Sequence, residues 1–153
     1  MTHQPNQTPG DSGAESALLT ISRYLKKQHV LSLCCGMPLW CANCFYVFDT
    51  QRVAFWLMSD PKTRHGQQMM SYREVAGTIN GQPKSVMMIK GVQYRGRVKL
   101  LSGEAETHAK SAYIRRFPVA ALHQAALWEI VIDELKMTDN RLGFAQKTNW
   151  IRL

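Results

Sequence analysis

Several features that mark membrane, secreted or disordered proteins are missing from this chain. None of its apolar runs approaches the roughly 18 residues that a membrane-spanning helix needs. The first sixteen residues contain no Lys or Arg and no apolar stretch, so they do not form a secretory signal. Hydrophobic residues make up 45% of the 153 residues and charged residues 20%, which suits one domain with a real core. We therefore expect a soluble, cytoplasmic protein.

Cysteine is scarce and confined to one place. The four cysteines fall within eleven residues, at Cys34, Cys35, Cys41 and Cys44. A secreted disulfide framework normally spreads its bridges along the chain, so this cluster favours a reduced compartment. Because Cys34 and Cys35 are adjacent, the paired C-x-x-C knuckles of a zinc ribbon are also absent. We predict that all four cysteines are buried, small apolar side chains.

A redox reading of the segment Trp40-Cys41-Ala42-Asn43-Cys44 is the alternative, because W-C-x-x-C is the thioredoxin signature. That chemistry needs its first cysteine at the start of a helix, whereas strand-like residues follow here. Residues three apart on a strand lie about 10 Å apart on opposite faces, beyond the reach of a disulfide. The pattern therefore argues against a bond between Cys41 and Cys44.

Motifs for other common chemistries are missing as well. The chain has no G-x-S-x-G, no H-E-x-x-H and no P-loop, and its histidines lack metal-ligand spacing. We predict no metal site, and no side chain is identified as catalytic.

Positive charge is in excess. Lys and Arg number 19 against 11 acids, which gives a net charge of +8 and favours anionic partners. Alternation places Arg95, Arg97 and Lys99 on one face of a predicted strand, where they could bind RNA or single-stranded DNA. A solvated strand face is the commoner explanation for such a pattern. Nucleic acid is therefore the weaker alternative.

The pattern along the chain predicts a single domain behind a tail. Residues 1–13, rich in Pro, Gly, Thr, Gln and Asn, are predicted to be a disordered N-terminal tail, and residues 14–153 to form one domain. Helical signals cover residues 14–28, 62–71, 104–116 and 119–125. Strand signals cover residues 29–35, 39–48, 52–58, 74–79, 85–101, 128–137 and 143–151.

Two details of the predicted strands bear on the architecture. Asn80-Gly81 predicts a hairpin, and the long strand that follows is predicted to bend at Gly91 or Gly96. The second and third strands carry apolar residues on both faces, whereas a sheet with one wet face should alternate. A small barrel whose outside packs on helices or on a second subunit satisfies this pattern.

The segment Ser59-Asp60-Pro61-Lys62-Thr63-Arg64-His65-Gly66 suggests an anion site. Ser59 or Asp60 can cap a helix that begins near Pro61, which places three cations in its first turn. Cations are unfavourable there by about 0.3–1 kcal/mol per charge, because the positive end of the helix dipole prefers acids. Free amide groups together with Lys, Thr and Arg are typical of a phosphate-binding site. The alternative is that the segment is a solvated surface turn that binds no anion.

Residues 36–66 resemble the FMN-binding split barrels related to pyridoxamine 5'-phosphate oxidase. That family has two flavin-lining strands followed by T-N-x-x-S-R-K at a helix start, which Ser59, Thr63 and Arg64 match and where His65 replaces the Lys. The closing Trp150-Ile151-Arg152-Leu153 is similar to the family's W-x-I-x-R-L. The runs WCANCFYVFD, KTRH, VAGTINGQPK, IKGVQ, RRFPVA and TDNRLGF are closer still to the bacterial YhbP-like proteins of that superfamily, which have no settled activity.

The resemblance implies a mainly β fold with flanking helices: a six-stranded antiparallel split barrel that works as a homodimer, with FMN between subunits. The residues implied to hold the FMN phosphate are Arg64, Thr63 and His65, with Lys62 or Lys84 assisting. Those implied to line the isoalloxazine are Asn43, Phe45, Met58 and Ser59.

One departure limits the implied activity. Pyridoxamine phosphate oxidases carry an R-L-H-D-R-like segment that grips the substrate, whereas this chain has Arg141-Leu142-Gly143-Phe144. The resemblance therefore implies an FMN-dependent oxidoreductase of another substrate, with a nicotinamide or another small molecule as electron donor. A flavin- or haem-binding carrier or sensor is the main alternative.

Overall fold

The computed structural model describes residues 11–143 and 146–153. The α-helices are α1 (Asp11–Lys27), α2 (Arg64–Ser71) and α3 (Gly103–Arg116). The strands are β1 (Val30–Cys35), β2 (Trp40–Asp49), β3 (Ala54–Met58), β4 (Glu74–Asn80), β5 (Lys90–Leu100), β6 (Leu127–Asp139) and β7 (Lys147–Ile151). Short 3₁₀ helices span Val86–Met88, Pro118–Leu122 and Asn140–Leu142.

A closed antiparallel barrel of six strands organises the chain. The strand order is β3-β2-β1-β4-β5-β6, and β3 pairs back onto β6 from Ala54↔Val131 to Met58↔Leu127. The second half of β6 pairs instead with β7, from Glu134↔Ile151 to Thr138↔Lys147. The same edge of β6 thus pairs with β3 along its first half and with β7 along its second half. The predicted split-barrel fold is confirmed.

Most predicted elements lie within a few residues of their observed bounds, with three informative differences. The first helix begins at Asp11, so residues 11–13 are helical, while residues 1–10 lie outside the described residues. The hairpin after Asn80 does form, but nine residues, 81–89, connect its strands instead of a tight turn. The predicted bend in the fifth strand is a register shift between Arg95 and Gly96.

The barrel interior is filled by side chains. Phe55 is fully buried at its centre, and its ring lies 5.0 Å from that of Tyr46 and 5.1 Å from that of Tyr94. The hydroxyls of both tyrosines donate to backbone carbonyls, of Leu25 and Ser32 respectively, so these polar atoms are satisfied inside the core. Helix α1 contributes Ile21 and Leu25 to the same core.

The outer face of β3 is also covered, as its apolar pattern predicts. Trp56 and Leu127 pack there with Ala109 and Tyr113 of α3 in a second buried cluster. Helix α3 therefore supplies the cover that the sequence requires for the second face.

The C-terminal segment is hydrogen-bonded to the turn before β3 and to β6 through Arg152. Arg152 donates through Nε to the carbonyl of Ile132 and through Nη2 to the carbonyls of Arg52 and Val53. Val53 has φ of 49°, a conformation in which a β-branched residue is strained. These bonds hold the turn before β3 in place.

A buried carboxylate lies beneath the outer edge of the barrel. Glu129 is 3% exposed and accepts bonds of 2.8 Å from Arg52 Nε, Arg52 Nη2 and Trp56 Nε1. Lys99 Nζ lies 3.7 Å from Glu129 Oε1, the oxygen that also accepts from Arg52 Nη2. Burial alone would raise the pKa of Glu129, but the hydrogen bonds from Arg52 and Trp56 outweigh it and lower that pKa.

We expect Arg52→Ala to lower the free energy of unfolding by about 1–2 kcal/mol at pH 7, because a buried carboxylate loses its half-exposed partner. The pKa of Glu129 is lower in the folded chain, so its ionised form stabilises the fold above the unfolded value of 4.5. The deficit of the variant should therefore shrink as the pH falls through the carboxyl range. Urea unfolding of both proteins at pH 7 and at a pH below 4 measures this difference in the free energy of unfolding.

Arg95→Ala is the matched control, since the Arg95–Glu134 pair is exposed on both sides and its loss should have a much smaller effect. A deficit of Arg52→Ala that grows on acidification would contradict the role given to Glu129.

Candidate functional site

The predicted anion segment forms a tight turn from β3 into α2. Thr63 caps α2: its Oγ1 accepts from the Gly66 amide at 3.0 Å and donates to the Asp60 carbonyl at 2.8 Å. The cap is therefore Thr63, and the expectation of Ser59 or Asp60 as cap was wrong. A Cβ on Gly66 would lie 2.5 Å from the Asp60 carbonyl oxygen, which explains a glycine at this position.

Three polar side chains meet at the start of α2. His65 Nε2 lies 2.6 Å from Ser59 Oγ and 3.3 Å from Thr63 Oγ1, and the ring tautomer decides which atom donates. Ser59 is fixed in turn, because its carbonyl accepts from Trp128 Nε1 and its amide donates to the Ala126 carbonyl. The structure thus brings Ser59, which the resemblance assigns to the flavin ring, into contact with Thr63 and His65, which it assigns to the phosphate.

The cations of the segment are arranged at the surface. Arg64 is the first residue of α2, and its guanidinium lies 3.7 Å from the ring centroid of Trp40 on β2. The first turn of α2 contains no acid, and the first amide groups of a helix have no acceptor within it. Lys62 lies before the helix and not in its first turn; its amide donates to Asp60 Oδ1 at 2.8 Å. The arrangement is an electropositive helix start beside an aromatic platform.

The residues predicted to line a flavin ring lie on the outer face of the barrel. Asn43 and Phe45 alternate outward on β2 and are exposed, while Cys44 and Tyr46 point into the core. Met58 is half-buried at the end of β3, which pairs with β2 from Ala54↔Asp49 to Leu57↔Tyr46. Since Met58 follows Leu57, it lies beside Phe45, and Ser59 follows directly. Asn43 and Phe45 are therefore exposed on the outer face, and Met58 packs there against the cluster that α3 covers.

Lys84 lies apart from this surface. It is in the connection after β4, whereas α2 precedes β4, and a seven-residue strand spans about 20 Å. A single chain therefore does not bring Lys84 to Arg64.

The basic face of β5 is an ion-paired ladder. Arg95 Nε lies 2.6 Å from Glu134, Arg97 bonds Asp133 through two nitrogens at 3.1 Å, and Lys99 reaches Glu129. Acids of β6 thus offset the three cations, which favours the solvated-face explanation over nucleic-acid binding.

The cysteine prediction was wrong for two of the four residues. Cys34 and Cys41 form a disulfide between β1 and β2, with Cα atoms 4.2 Å apart. Cys35 and Cys44 are free and buried, as predicted. The turn Gly36-Met37-Pro38-Leu39 was the missed signal, because a four-residue turn places residues 35 and 40, then 34 and 41, opposite each other. This bond removes the argument for a reduced compartment.

Two negative findings apply to residues 11–143 and 146–153. They contain no cluster of three or more His, Cys, Asp or Glu side chains able to hold a metal ion. Within the same ranges, no helix has the length and apolar character needed to cross a bilayer.

Comparison with known sequences decides the family. No protein-family model matches the chain. It is 53% identical over 137 residues to the UPF0306 protein YhbP of Escherichia coli, an alignment that covers 88% of this chain and 93% of the relative. The chain belongs to the UPF0306 (YhbP) family. The resemblance seen in the runs WCANCFYVFD and TDNRLGF is thereby confirmed.

Solved structures place this YhbP-family chain among split barrels. A heme-binding protein from Mycobacterium smegmatis superposes with a TM-score of 0.70 at 12% identity, covering 98% of this chain and 60% of that one. A FAD-binding protein from Mesorhizobium loti superposes with a TM-score of 0.62 at 14% identity, covering 76% and 88%. At these identities the likeness shows the fold of this chain and nothing further.

We expect the ring of His65 to titrate below its usual value of 6.5, because burial lowers its pKa. Folding favours the neutral imidazole, so protonation of His65 should cost stability as the pH falls below 6.5. An NMR titration of the imidazole protons, assigned with His65→Asn, measures this pKa. A value above 6.5 for His65 in the free protein would contradict the arrangement of Ser59, Thr63 and His65 described above.

Proposed function

We propose that this protein binds FMN and acts as a flavin-dependent oxidoreductase in the form of a homodimer. The observation that carries the proposal is the start of α2, where Arg64 lies over Trp40 in a first turn without an acid. A cation at this end of a helix is unfavourable unless an anion neutralises it. The terminal phosphate of FMN is such an anion.

The phosphate end of the site would use groups that are already ordered. Arg64 would pair with the phosphate oxygens through its planar guanidinium, which suits two parallel hydrogen bonds. Thr63 and His65 are held next to it by hydrogen bonds, so little side-chain freedom remains to be lost on binding. Lys62, exposed just before the helix, would add charge from the same side.

The ring end would lie on the outer surface of β2 and β3. Asn43 offers amide groups to the polar edge of an isoalloxazine, and Phe45 and Met58 offer apolar surface beside it. Phe45 is 54% exposed and its ring lies 5.3 Å from that of Phe117, so one face remains available for contact. Bound FMN would supply hydride or electron transfer, and the protein would supply position and exclusion of water.

The dimer is proposed because this surface is open in one chain. Exposed apolar side chains of β2 belong to it, among them Trp40 and Phe45. A second copy would cover them and enclose the ring, and it would be the means of bringing Lys84 to the phosphate.

The described contacts support a substrate other than pyridoxamine phosphate. Arg141 is held by Asp139, whose carboxylate accepts from its amide, Nε and Nη2. This arginine therefore closes a 3₁₀ turn in place of gripping a substrate, and no His or Asp follows it at the family's positions.

Flavin is favoured over haem by the state of His65. Haem bound through Nε2 of His65 would have to break the contacts of that nitrogen with two hydroxyls, whereas a phosphate can bind beside them. One structural neighbour is a heme-binding protein, so the experiments below also test for haem.

We expect Arg64→Ala to weaken FMN binding about 10- to 100-fold, the size of one charge-assisted phosphate contact. Binding of riboflavin, which lacks the phosphate, should be unchanged. Flavin fluorescence titration of both ligands measures this, with Arg115→Ala on α3 as the control. Equal FMN affinity for Arg64→Ala and the unaltered protein would overturn the phosphate assignment, and light scattering of the same samples tests the dimer.

We expect the protein as purified to be yellow and its flavin spectrum to bleach anaerobically on addition of NADH or NADPH. A flavin that binds but is not reduced by either nicotinamide would support a carrier or sensor instead. A Soret band in place of the flavin spectrum would overturn the choice of FMN over haem.

A further inference from the structure

Five paired residues form a row across the outer face of the barrel. Cys41 on β2 is opposite Cys34 on β1, Cys34 is opposite Ala76 on β4, and Ala76 is opposite Arg95 on β5. Arg95 is in turn opposite Glu134 on β6. Neighbouring strands are about 4.8 Å apart, so the disulfide and the Arg95 backbone lie within about 10 Å of each other along this row.

A groove runs along the same row. Its volume is about 720 Å³, and its lining includes Cys34, Ala76, Tyr72 and Arg95. This volume is within the range of sites for small ligands. Three arginines and two carboxylates line it (Arg73, Arg95, Arg97, Glu74 and Asp133). The groove is therefore open to solvent and lies beside Cys34, and two of its arginines, Arg95 and Arg97, are paired with carboxylates of β6.

The row leaves one direction open for attack on the disulfide. A thiolate displaces one sulfur by approaching the other along the extension of the S–S bond. Cys41 lies on one side of Cys34, so that approach to the Cys34 Sγ passes over Ala76 on the other side. Ala76 is exposed and carries only a methyl group, so the path is open. Cys41, also exposed, would leave into solvent.

Neither of the other two cysteines can reduce the Cys34–Cys41 disulfide. Cys35 and Cys44 are 2% and 9% exposed inside the barrel, on the opposite face of the sheet. Burial raises the pKa of both thiols, that of Cys44 to about 11, so neither is a thiolate near neutral pH. A thiol that reduces the disulfide must come from solvent.

We propose that the groove beside Ala76 binds a small anionic thiol, such as a cysteine-containing peptide, which exchanges reversibly with the Cys34–Cys41 disulfide. The thiolate attacks Cys34 Sγ, the S–S bond breaks, and Cys41 leaves as a thiolate that takes a proton from water. A second thiol then attacks the mixed disulfide, which releases the oxidised small thiol and leaves Cys34 reduced. Two thiols are oxidised to one disulfide, and one protein disulfide becomes two thiols.

Arg95 supplies the selectivity for an anionic thiol. Its pair with Glu134 is exposed, and exposed pairs contribute little, so a ligand carboxylate can replace Glu134. The proposal needs no flavin, and its failure would leave the FMN proposal untouched.

The experiment follows reduction of Cys34–Cys41 in the full-length protein by differential alkylation and peptide mapping. Glutathione, which carries carboxylates, is compared with cysteamine, which is cationic. We expect glutathione to react faster and to give a mixed disulfide at Cys34. Ala76→Leu should slow glutathione at least about tenfold by blocking access, and Arg95→Gln should slow glutathione but not cysteamine by roughly threefold.

Ala105→Leu, the same change at an exposed position on α3, is the matched control and should leave the rate unaltered. Circular dichroism and thermal unfolding check that each variant folds. Equal glutathione rates for Ala76→Leu and Ala105→Leu would overturn the proposal, as would absence of the Cys34–Cys41 bond in protein prepared under alkylating, non-reducing conditions.

Discussion

The pairing of β3 with the first half of β6 is the contact on which the rest of the structure depends. It closes the sheet, so that Phe55 faces Tyr46 and Tyr94 across a filled interior. It also fixes the end of β3, because Ser59 continues from Met58 and bonds the backbone of Ala126. The start of α2 is therefore positioned by barrel closure, although α2 itself is only eight residues long.

Closure also explains where charge is tolerated. Inside the barrel, the hydroxyls of Tyr46 and Tyr94 reach backbone carbonyls. Ionised groups lie on the outer face, where Glu129 is neutralised by Arg52 and Lys99 and where Arg97 meets Asp133. Arg64 differs from these cations, because its partner in the described contacts is the ring of Trp40. That difference is why the phosphate of FMN is proposed to bind at the start of α2.

The sequence predicted the barrel because its signals there are local. Strand-forming runs separated by turn residues predicted the strands, and of the two glycines at which a bend was predicted, Gly91 and Gly96, it is Gly96 that lies where β5 shifts register. The Thr63 cap was not predicted although its contacts, to the Gly66 amide and the Asp60 carbonyl, are local, because Pro61 put the predicted helix start ahead of the observed start at Arg64. The Cys34–Cys41 bond was missed because it follows from hairpin register, which cysteine spacing alone does not give. Of the site residues carried over from the resemblance, Ser59, Thr63 and His65 are in hydrogen-bond contact at the start of α2, whereas Lys84 lies in the connection after β4.

The filled interior has a consequence for how such a protein can change. Since Phe55, Tyr46 and Tyr94 occupy the centre, a ligand has to be met by outward-pointing side chains such as Asn43 and Phe45. Inward and outward positions alternate along each strand, so the residues that keep the chain folded and those that touch a guest are largely separate sets. A relative could therefore bind a different ligand after substitutions on the outer face of the barrel alone, with little loss of stability.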